Sequence, residues 1–228
     1  MKRSEINEII RKSIILLDKN NMRLPLFAYW KTDKWKDNKE KIFTISKVMQ
    51  GWDVTDFGSG KFDECGAVLF TIRNGDVNNK SIGTPYAEKL IILLHENEQK
   101  IPMHCHRMKK EDIINRGGGT LCVQLYASDP DGNIDKTANI EFFMDGIKFN
   151  CNAGKVIEID KGNSITITPG LYHAFWAKKG GGDLLVGEVS SVNDDNTDNV
   201  FAQPTGRFAV IEEDEDIEYP LANEYNKL

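Results

Sequence analysis

Four residues of the chain have the types and spacing of a metal site. His104 and His106 are separated by one residue, so on a β-strand both imidazoles point to one face and Cys105 points to the other. Glu111 follows after a short bend that can return its carboxylate to that face, and His173 can join from another strand. Three imidazoles and one carboxylate on rigid strands could bind a divalent first-row metal such as Mn, Fe, Co, Ni or Zn.

Two alternatives compete with this assignment. The histidines could be structural residues that hydrogen-bond within a β-core, which a lone His-x-His pattern would equally allow. Cys105 could itself be a ligand, although strand alternation turns it away from its two neighbours. The cysteines contain no Cys-x-x-Cys pair, so we expect free thiols in a reducing compartment. They are Cys65, Cys105, Cys122 and Cys151.

The spacing resembles the two motifs of the cupin superfamily, G-x5-H-x-H-x(3,4)-E-x6-G and G-x5-P-x-G-x2-H-x3-N. The matching positions are His104, His106, Glu111 and Gly118 in the first motif, and Gly162, Gly170 and His173 in the second. Three positions depart from the motifs: Glu98 replaces the first glycine, Pro169 directly precedes Gly170, and Ala177 replaces the asparagine. None of them is a ligand position, so the resemblance implies a cupin metal site.

Strands must position these residues, and the sequence predicts many short ones. Apolar runs with turns about every 6–12 residues are typical of a β-sandwich or barrel. The predicted strands are 66–75, 86–94, 101–104, 120–126, 140–143, 148–151, 156–159, 164–168, 171–177 and 184–189. With the cupin resemblance, this pattern implies a mainly β fold, a cupin-type, jelly-roll-like β-barrel.

Helices are predicted only before the barrel. Residues 4–18 carry Ile and Leu at helical spacing after Ser4, a plausible N-cap, and predict an amphipathic helix packed outside the β-core. The aromatic residues within 24–35 are expected to pack as an anchor or to line a pocket. A weaker helix is predicted over 37–49.

The length and net charge of the chain limit the classes of protein to which it can belong. The 228 residues suit one cupin domain, which we divide into a helical extension (1–50), the barrel (51–190) and a tail that packs on the barrel (191–228). A net charge of −6 argues against a nucleic-acid or membrane-surface partner. We find neither an apolar run as long as a membrane span nor a signal peptide, so we expect a cytoplasmic protein.

Other patterns fit turns or solvated surface better than binding sites. The glycine run 117–119 lacks the Gly-Lys-[Ser/Thr] ending of a phosphate loop, and 180–182 is expected to be a hairpin turn. The acids of 193–199 resemble a calcium loop, but the glycine and glutamate that such a loop needs are missing. The acidic run 211–216 predicts a solvated surface whose first acids could reach a pocket.

Longer segments resemble the D-lyxose isomerase family over most of the chain. They are 24–30, 51–58, 69–75, 86–89, 104–119 and 193–199, and the last two are the most particular. The resemblance implies a homodimeric cupin barrel that binds Mn²⁺, with Co²⁺, Fe²⁺, Ni²⁺ and Zn²⁺ as alternatives. It also implies conversion of the aldose D-lyxose to the ketose D-xylulose, with D-mannose to D-fructose as a side activity.

Aldose–ketose isomerisation moves one hydrogen between C1 and C2, by way of an enediol or as a hydride. Lys109 could stabilise the developing oxyanion or be a surface lysine, and Lys89 is predicted to be a barrel-facing charge. Glu188 lies in a strand that is apolar on both faces, which makes it a candidate base or sugar-binding carboxylate, and the alternative is a strand-end glutamate that reaches solvent. Further substrate-binding candidates in the tail are Asp194, Asp198, Arg207 and Glu213.

Two other functions remain compatible with these features. One is a different metal-dependent cupin enzyme, for example an iron dioxygenase, whose pocket is expected to be less rich in lysine and acid. The other is a non-enzymatic sugar-binding cupin, which would not need the full ligand set.

Overall fold

The computed structural model describes residues 1–94, 99–194 and 197–227. Glu98, which departs from the cupin motif, and Asp195 and Asn196 of the acidic loop lie outside the described residues. The strands are β1 (Gly51–Thr55), β2 (Ala67–Gly75), β3 (Gly83–Leu93), β4 (Lys100–His106), β5 (Glu111–Gly118), β6 (Leu121–Ser128), β7 (Ile134–Asp135), β8 (Asn139–Met144), β9 (Ile147–Asn152), β10 (Val156–Ile159), β11 (Ser164–Ile167), β12 (Tyr172–Ala177), β13 (Leu184–Ser191) and β14 (Asn199–Phe201).

Two antiparallel sheets form the barrel. The larger has the strand order β1-β2-β3-β13-β5-β11-β8-β9, the smaller has the order β10-β6-β12-β4-β14, and β7 pairs with β6. Apolar side chains of both sheets fill the interior, such as Ile91 and Ile113 of the larger sheet and Val123 and Phe175 of the smaller. The mainly β, jelly-roll-like cupin barrel is therefore confirmed.

A second core lies on the outer face of the larger sheet, where α1 (Arg3–Lys19) covers it. Ile6 and Ile10 of this helix are fully buried and pack in a cluster with Phe70 and Leu185 of the sheet. The helix begins before Ser4, so the predicted N-cap is wrong. Ser4 instead uses its backbone N–H and its hydroxyl to bind the Asp214 carboxylate.

The helix predicted over 37–49 is wrong in its extent. The chain forms α2 (Thr32–Asp37) and α3 (Phe43–Lys47) with a turn between them. The intervening residues are all polar up to Ile42, so a continuous helix would have no apolar face to bury there. Trp35 of α2 is buried and stacks on Tyr225, with 4.3 Å between ring centroids. None of the helices in the described ranges has the length and apolar character that crossing a membrane would need.

Arg3 joins the two ends of the chain. Its fully buried guanidinium contacts Glu213 at 2.7 Å and Glu224 at 2.5 Å. Burial alone would lower the pKa of Arg3, but the hydrogen bonds to both carboxylates outweigh it and raise the pKa above its usual value. A single domain over 1–228 stays a prediction, and these contacts between the ends support it.

The glycine runs connect the two sheets. The 180–182 loop leads from β12 in the smaller sheet to β13 in the larger, so the expected hairpin is wrong. Gly118 ends β5 with a φ of +82°, and a Cβ there would lie 2.0 Å from the carbonyl oxygen of Asp183. This close approach in a left-handed conformation explains why glycine stands at that motif position.

Candidate active site

Three buried histidines meet in the barrel interior. His104 and His106 lie on β4, and His173 lies on the adjacent β12 as the direct cross-strand partner of His104. One ring nitrogen of each lies within 4.8 Å of those of the other two. Cys105 is not part of this group of ring nitrogens, as strand alternation predicts.

Glu111 reaches the histidines from the opposite sheet. It is the first residue of β5, and its Oε1 lies 3.2 Å from His106 Nε2 and 3.1 Å from His173 Nε2. Burial alone would raise the pKa of Glu111. The positive charge of Lys109 is the largest of the effects that outweigh burial and hold this pKa well below its usual range. Glu111 is therefore an anion at neutral pH.

The ring orientations fit a metal ion. His104 donates Nδ1–H to the carbonyl of Pro102 at 2.8 Å, and His173 donates to the carbonyl of Leu171 at 3.1 Å, which turns each Nε2 toward the interior as an electron-pair donor. His173 Nε2 is buried and makes no hydrogen bond to any described residue. Burial and the neighbouring histidines hold the pKa of His104 well below its usual value, so its ring is neutral. Neutral imidazoles and an anionic carboxylate are the donor set of a divalent first-row metal.

A network of buried charges lies beside the histidines. Lys109 Nζ is 2.7 Å from Glu111 Oε2 and 3.0 Å from Glu188 Oε1. Lys89 pairs with Glu188 across β3 and β13, and its Nζ lies 3.7 Å from the same Oε1. All four side chains are at most 6% exposed, so each charge depends on its partners for compensation.

One cavity adjoins both groups. Its polar lining comes from Lys89, His104, His106, Lys109, Glu111, Glu188, Asn199 and Arg207, and its apolar lining from Phe57, Leu69, Ile91, Ile101, Ile113, Phe175 and Phe201. Arg207 belongs to the tail and is fixed on β1, where its guanidinium contacts Asp53 at 2.6 Å and its carbonyl accepts from the Thr55 hydroxyl at 2.8 Å. Polar groups that share a cavity with apolar walls are typical of a small-molecule site.

Three other tail residues proposed from the sequence do not line this cavity. Asp194 lines a different cavity and accepts a hydrogen bond from the Thr197 hydroxyl. Glu213 binds Arg3, because the acidic run turns toward α1 instead of the barrel interior. Asp198 binds backbone N–H groups of the turn between β4 and β5.

The sequence-based prediction considered charged residues alone and missed asparagines that lie near Lys109 and the cavity. Asn193 accepts a hydrogen bond from Lys109 Nζ at 3.3 Å, and the side chain of Asn74 hydrogen-bonds both the N–H and the carbonyl of Asn193. Asn199 pairs with His106 across β14 and β4 and lines the cavity. Asn193 and Asn199 begin and end the 193–199 segment, so the family-like pattern was the available signal.

The chain resembles sugar isomerases over nearly all of its length. The model of the D-lyxose isomerase family matches residues 1–225. A D-lyxose/D-mannose isomerase of Escherichia coli O157:H7 is 42% identical over 100% of this chain and 99% of that protein. A D-lyxose/D-mannose isomerase of Serratia proteamaculans is 40% identical over 99% and 98% of the two chains.

Solved structures share the fold at much lower identity. A point mutant of the Acinetobacter sp. DL28 L-ribose isomerase, in complex with L-ribose, gives a TM-score of 0.60 at 14% identity over 93% of this chain and 98% of that chain. The Cellulomonas parahominis L-ribose isomerase with L-ribose gives 0.57 at 16% identity over the same shares of the two chains. These two likenesses establish the barrel. The family match and the two sequence relatives establish more: the chain belongs to the D-lyxose isomerase family.

Proposed function

We propose that this protein interconverts an aldose and its ketose, with D-lyxose and D-xylulose as the main pair and D-mannose and D-fructose as a side activity. Family membership supports the reaction, and the two bacterial relatives named as D-lyxose/D-mannose isomerases support the sugars. The observation that carries the proposal is the placement of a buried Lys109–Glu188 pair beside the histidines in one cavity. A proton-moving carboxylate and a charge-stabilising group are what the reaction requires.

We propose Mn²⁺ as the metal, held by His104, His106, Glu111 and His173. This ligand set is supported by the three histidine nitrogens, which lie within 4.8 Å of one another, and by Glu111 Oε1, which lies 3.2 Å from His106 Nε2 and 3.1 Å from His173 Nε2. When bound, such an ion would supply Lewis-acid stabilisation of negative charge on the oxygens at C1 and C2 of the sugar.

Glu188 is the group that we propose to move protons. In an enediol path it takes the proton from C2 and returns it at C1, a contribution of roughly 10²–10⁴ in rate. In a hydride path it only exchanges hydroxyl protons. Its Oε1 accepts from Lys109 Nζ at 3.0 Å, which orients the carboxylate.

Lys109 and Lys89 provide positive charge in a region from which water is largely excluded. Lys109 lies between Glu111 and Glu188 and is placed to donate to an oxygen of the sugar that gains charge. Lys89 balances Glu188 from the adjacent strand. Arg207 is proposed to bind sugar hydroxyls from the tail side of the cavity, where Asp53 restricts its guanidinium.

A homodimer in the cytoplasm completes the proposal. The dimer is what the family resemblance of the sequence implies, and the four free cysteines fit a reducing compartment. Light scattering coupled to size-exclusion chromatography would test the first, since a dimer has twice the 25.8 kDa mass of the chain.

The function can be tested with protein stripped of metal by EDTA and then supplied with Mn²⁺. Ketose formed from D-lyxose and D-mannose is measured before and after metal addition, in the wild type and in E188Q. E158Q is the matched control, because Glu158 is an exposed strand glutamate that also pairs with a lysine. We expect activity that returns with Mn²⁺ and prefers lyxose, is lost in E188Q and is kept in E158Q.

Other results would support the competing functions. Metal binding without turnover of any aldose would contradict the isomerase and favour another cupin chemistry. Sugar binding without turnover would favour a non-enzymatic module. Retention of full activity after complete chelation would contradict the proposed metal dependence.

A further inference from the structure

The Nδ1 atom of His106 has different contacts from the Nδ1 atoms of His104 and His173. His104 and His173 each donate Nδ1–H to a backbone carbonyl two residues earlier in the chain. His106 Nδ1 is buried and makes no hydrogen bond to any residue in the described ranges. It lies 3.4 Å from Asp198 Oδ2, a separation slightly too long for a strong hydrogen bond.

The same aspartate holds the turn that follows His106. Its Oδ1 accepts from the N–H of Met108 at 2.7 Å, its Oδ2 accepts from the N–H of Lys109 at 3.2 Å, and its carbonyl accepts from the N–H of Arg107 at 3.0 Å. One residue therefore binds three successive amides between β4 and β5. The turn begins directly after one proposed ligand, His106, and carries Lys109 toward Glu188.

We propose that Asp198 is a positioning residue that orients His106 and the Lys109 turn together. This inference rests on the proposed ligand role of His106 and replaces the expectation that Asp198 binds sugar. When Nε2 of a neutral imidazole is an electron-pair donor, the ring proton is on Nδ1, which here faces the Asp198 carboxylate. Asp198 does not line the cavity, so its effect is transmitted through His106 and Lys109.

The carboxylate is needed because two donors approach Oδ2. The N–H of Lys109 already uses this oxygen, and the Nδ1–H of His106 would be the second donor. In D198N only one acceptor oxygen remains, so it cannot serve the N–H groups of Met108 and Lys109 and the Nδ1–H of His106 together. In D198E both acceptors and the charge remain, although the side chain is longer by one methylene.

D135N is a close control. Asp135 also accepts from two backbone amides, those of Thr137 at 2.7 Å and Ala138 at 3.2 Å, and it is the half-buried last residue of the short strand β7. Its carboxylate therefore makes backbone hydrogen bonds of the same kind as Asp198, and it is not among the residues that line the cavity. A general effect of replacing an aspartate that accepts from backbone amides would appear in both substitutions.

The test uses the full chain without sugar. Calorimetry gives the Mn²⁺ affinity, and ¹⁵N-resolved NMR of the Zn²⁺-loaded protein, which is diamagnetic, gives the proton position on each histidine. We expect D198N to bind Mn²⁺ about 10–100-fold more weakly, D198E to recover part of the loss, and D135N to match the wild type. The Nδ1–H signal of His106 should exchange faster in D198N, whereas those of His104 and His173 stay unchanged.

Wild-type metal affinity and an unchanged His106 signal in D198N would overturn the proposal. Equal losses in D198N and D135N would also overturn it, because the effect would then be the general one of replacing such an aspartate. If D198N does not fold, D198E is the deciding variant. Weaker Mn²⁺ binding by D198E, with unchanged exchange of the His106 Nδ1–H, would contradict the orienting role. None of these measurements needs turnover. A protein that isomerises no sugar could therefore still confirm or contradict the role of Asp198.

Discussion

Replacing Lys109 by methionine should destabilise the protein far more than replacing an exposed lysine. Lys109 Nζ lies 2.7 Å from Glu111 and 3.0 Å from Glu188, and its side chain is 5% exposed. Methionine keeps most of the apolar stem but removes the charge, so K109M leaves two buried carboxylates with less compensation. Lys89 Nζ remains 3.7 Å from Glu188 Oε1, so this carboxylate keeps part of its charge compensation.

The expected loss is about 3–5 kcal/mol, the usual cost of removing one partner from a buried ion pair. A folded domain is stable by roughly 5–15 kcal/mol, so K109M should fold but with a greatly reduced margin. The loss depends on pH, because Lys109 lowers the pKa of Glu111. That stabilisation is present above the ordinary carboxyl pKa of 4.5 and disappears as the pH falls through the lowered folded-state pKa. The deficit of K109M is therefore largest at neutral pH.

Urea unfolding of the metal-free protein, followed by tryptophan fluorescence at pH 7 and pH 3, measures the deficit and its decrease below pH 4.5. K178M is the control, since Lys178 pairs with Glu158 at 2.6 Å while both side chains are about half exposed, and it should unfold at nearly the wild-type midpoint. The double variant K109M/E188Q should recover part of the loss, because it neutralises one of the carboxylates. Equal midpoints for K109M and K178M at pH 7 would refute the reasoning, since the Lys109 pair would then be as well hydrated as a surface pair.

Three further predictions concern the metal, the base and the tail. Mn²⁺ at 100 times its dissociation constant should stabilise the wild type by about 2.7 kcal/mol in urea unfolding, and H173A should lose most of this gain. E188Q should lower kcat by roughly 10² or more with little change in Mn²⁺ affinity, and loss of deuterium from [2-²H]-lyxose to water in the wild type would select the enediol path. The hydrogen bonds from Arg3 lower the pKa of Glu213, so stability should fall as the pH drops through that lowered pKa, and E213Q should flatten this part of the profile measured by thermal unfolding.

Strand alternation was sufficient to predict which side chains face the barrel interior. His104 and His106 share a face because they are two residues apart, and Glu188 shares the interior face with Leu184 and Val186, whose side chains are in the barrel core. Such predictions need only the period of a strand. The pairing of β13 with both β3 and β5, which brings Glu188 to Lys89 and near Lys109, depends on strand order and register. A single sequence contains no direct record of either.

The tail was the least predictable part for the same reason. Asp194, Asp198, Arg207 and Glu213 have similar polarity and similar surroundings in the sequence, yet Arg207 alone among them lines the cavity with the histidines. Arg207 is held there by Asp53, a residue of β1 that is about 150 positions away and was not expected to matter. Long-range ion pairs of this kind decide where an irregular segment lies, and composition does not reveal them.

The charge balance of the cavity supports an uncharged sugar as the substrate. The cations of its lining all face carboxylates in the described structure: Lys109 contacts Glu111 and Glu188, Lys89 contacts Glu188, and Arg207 contacts Asp53. A phosphate ester would need lysine or arginine N–H groups that are not already committed to carboxylates, because its two charges must be matched when they leave water. Hydroxyl groups make no such demand, since they can both donate to these carboxylates and accept from these cations. A phosphate would be repelled by these carboxylates and would lose its hydration without gaining an uncommitted cation. The paired charges can instead bind a polyol, which favours a free pentose or hexose over its phosphorylated form.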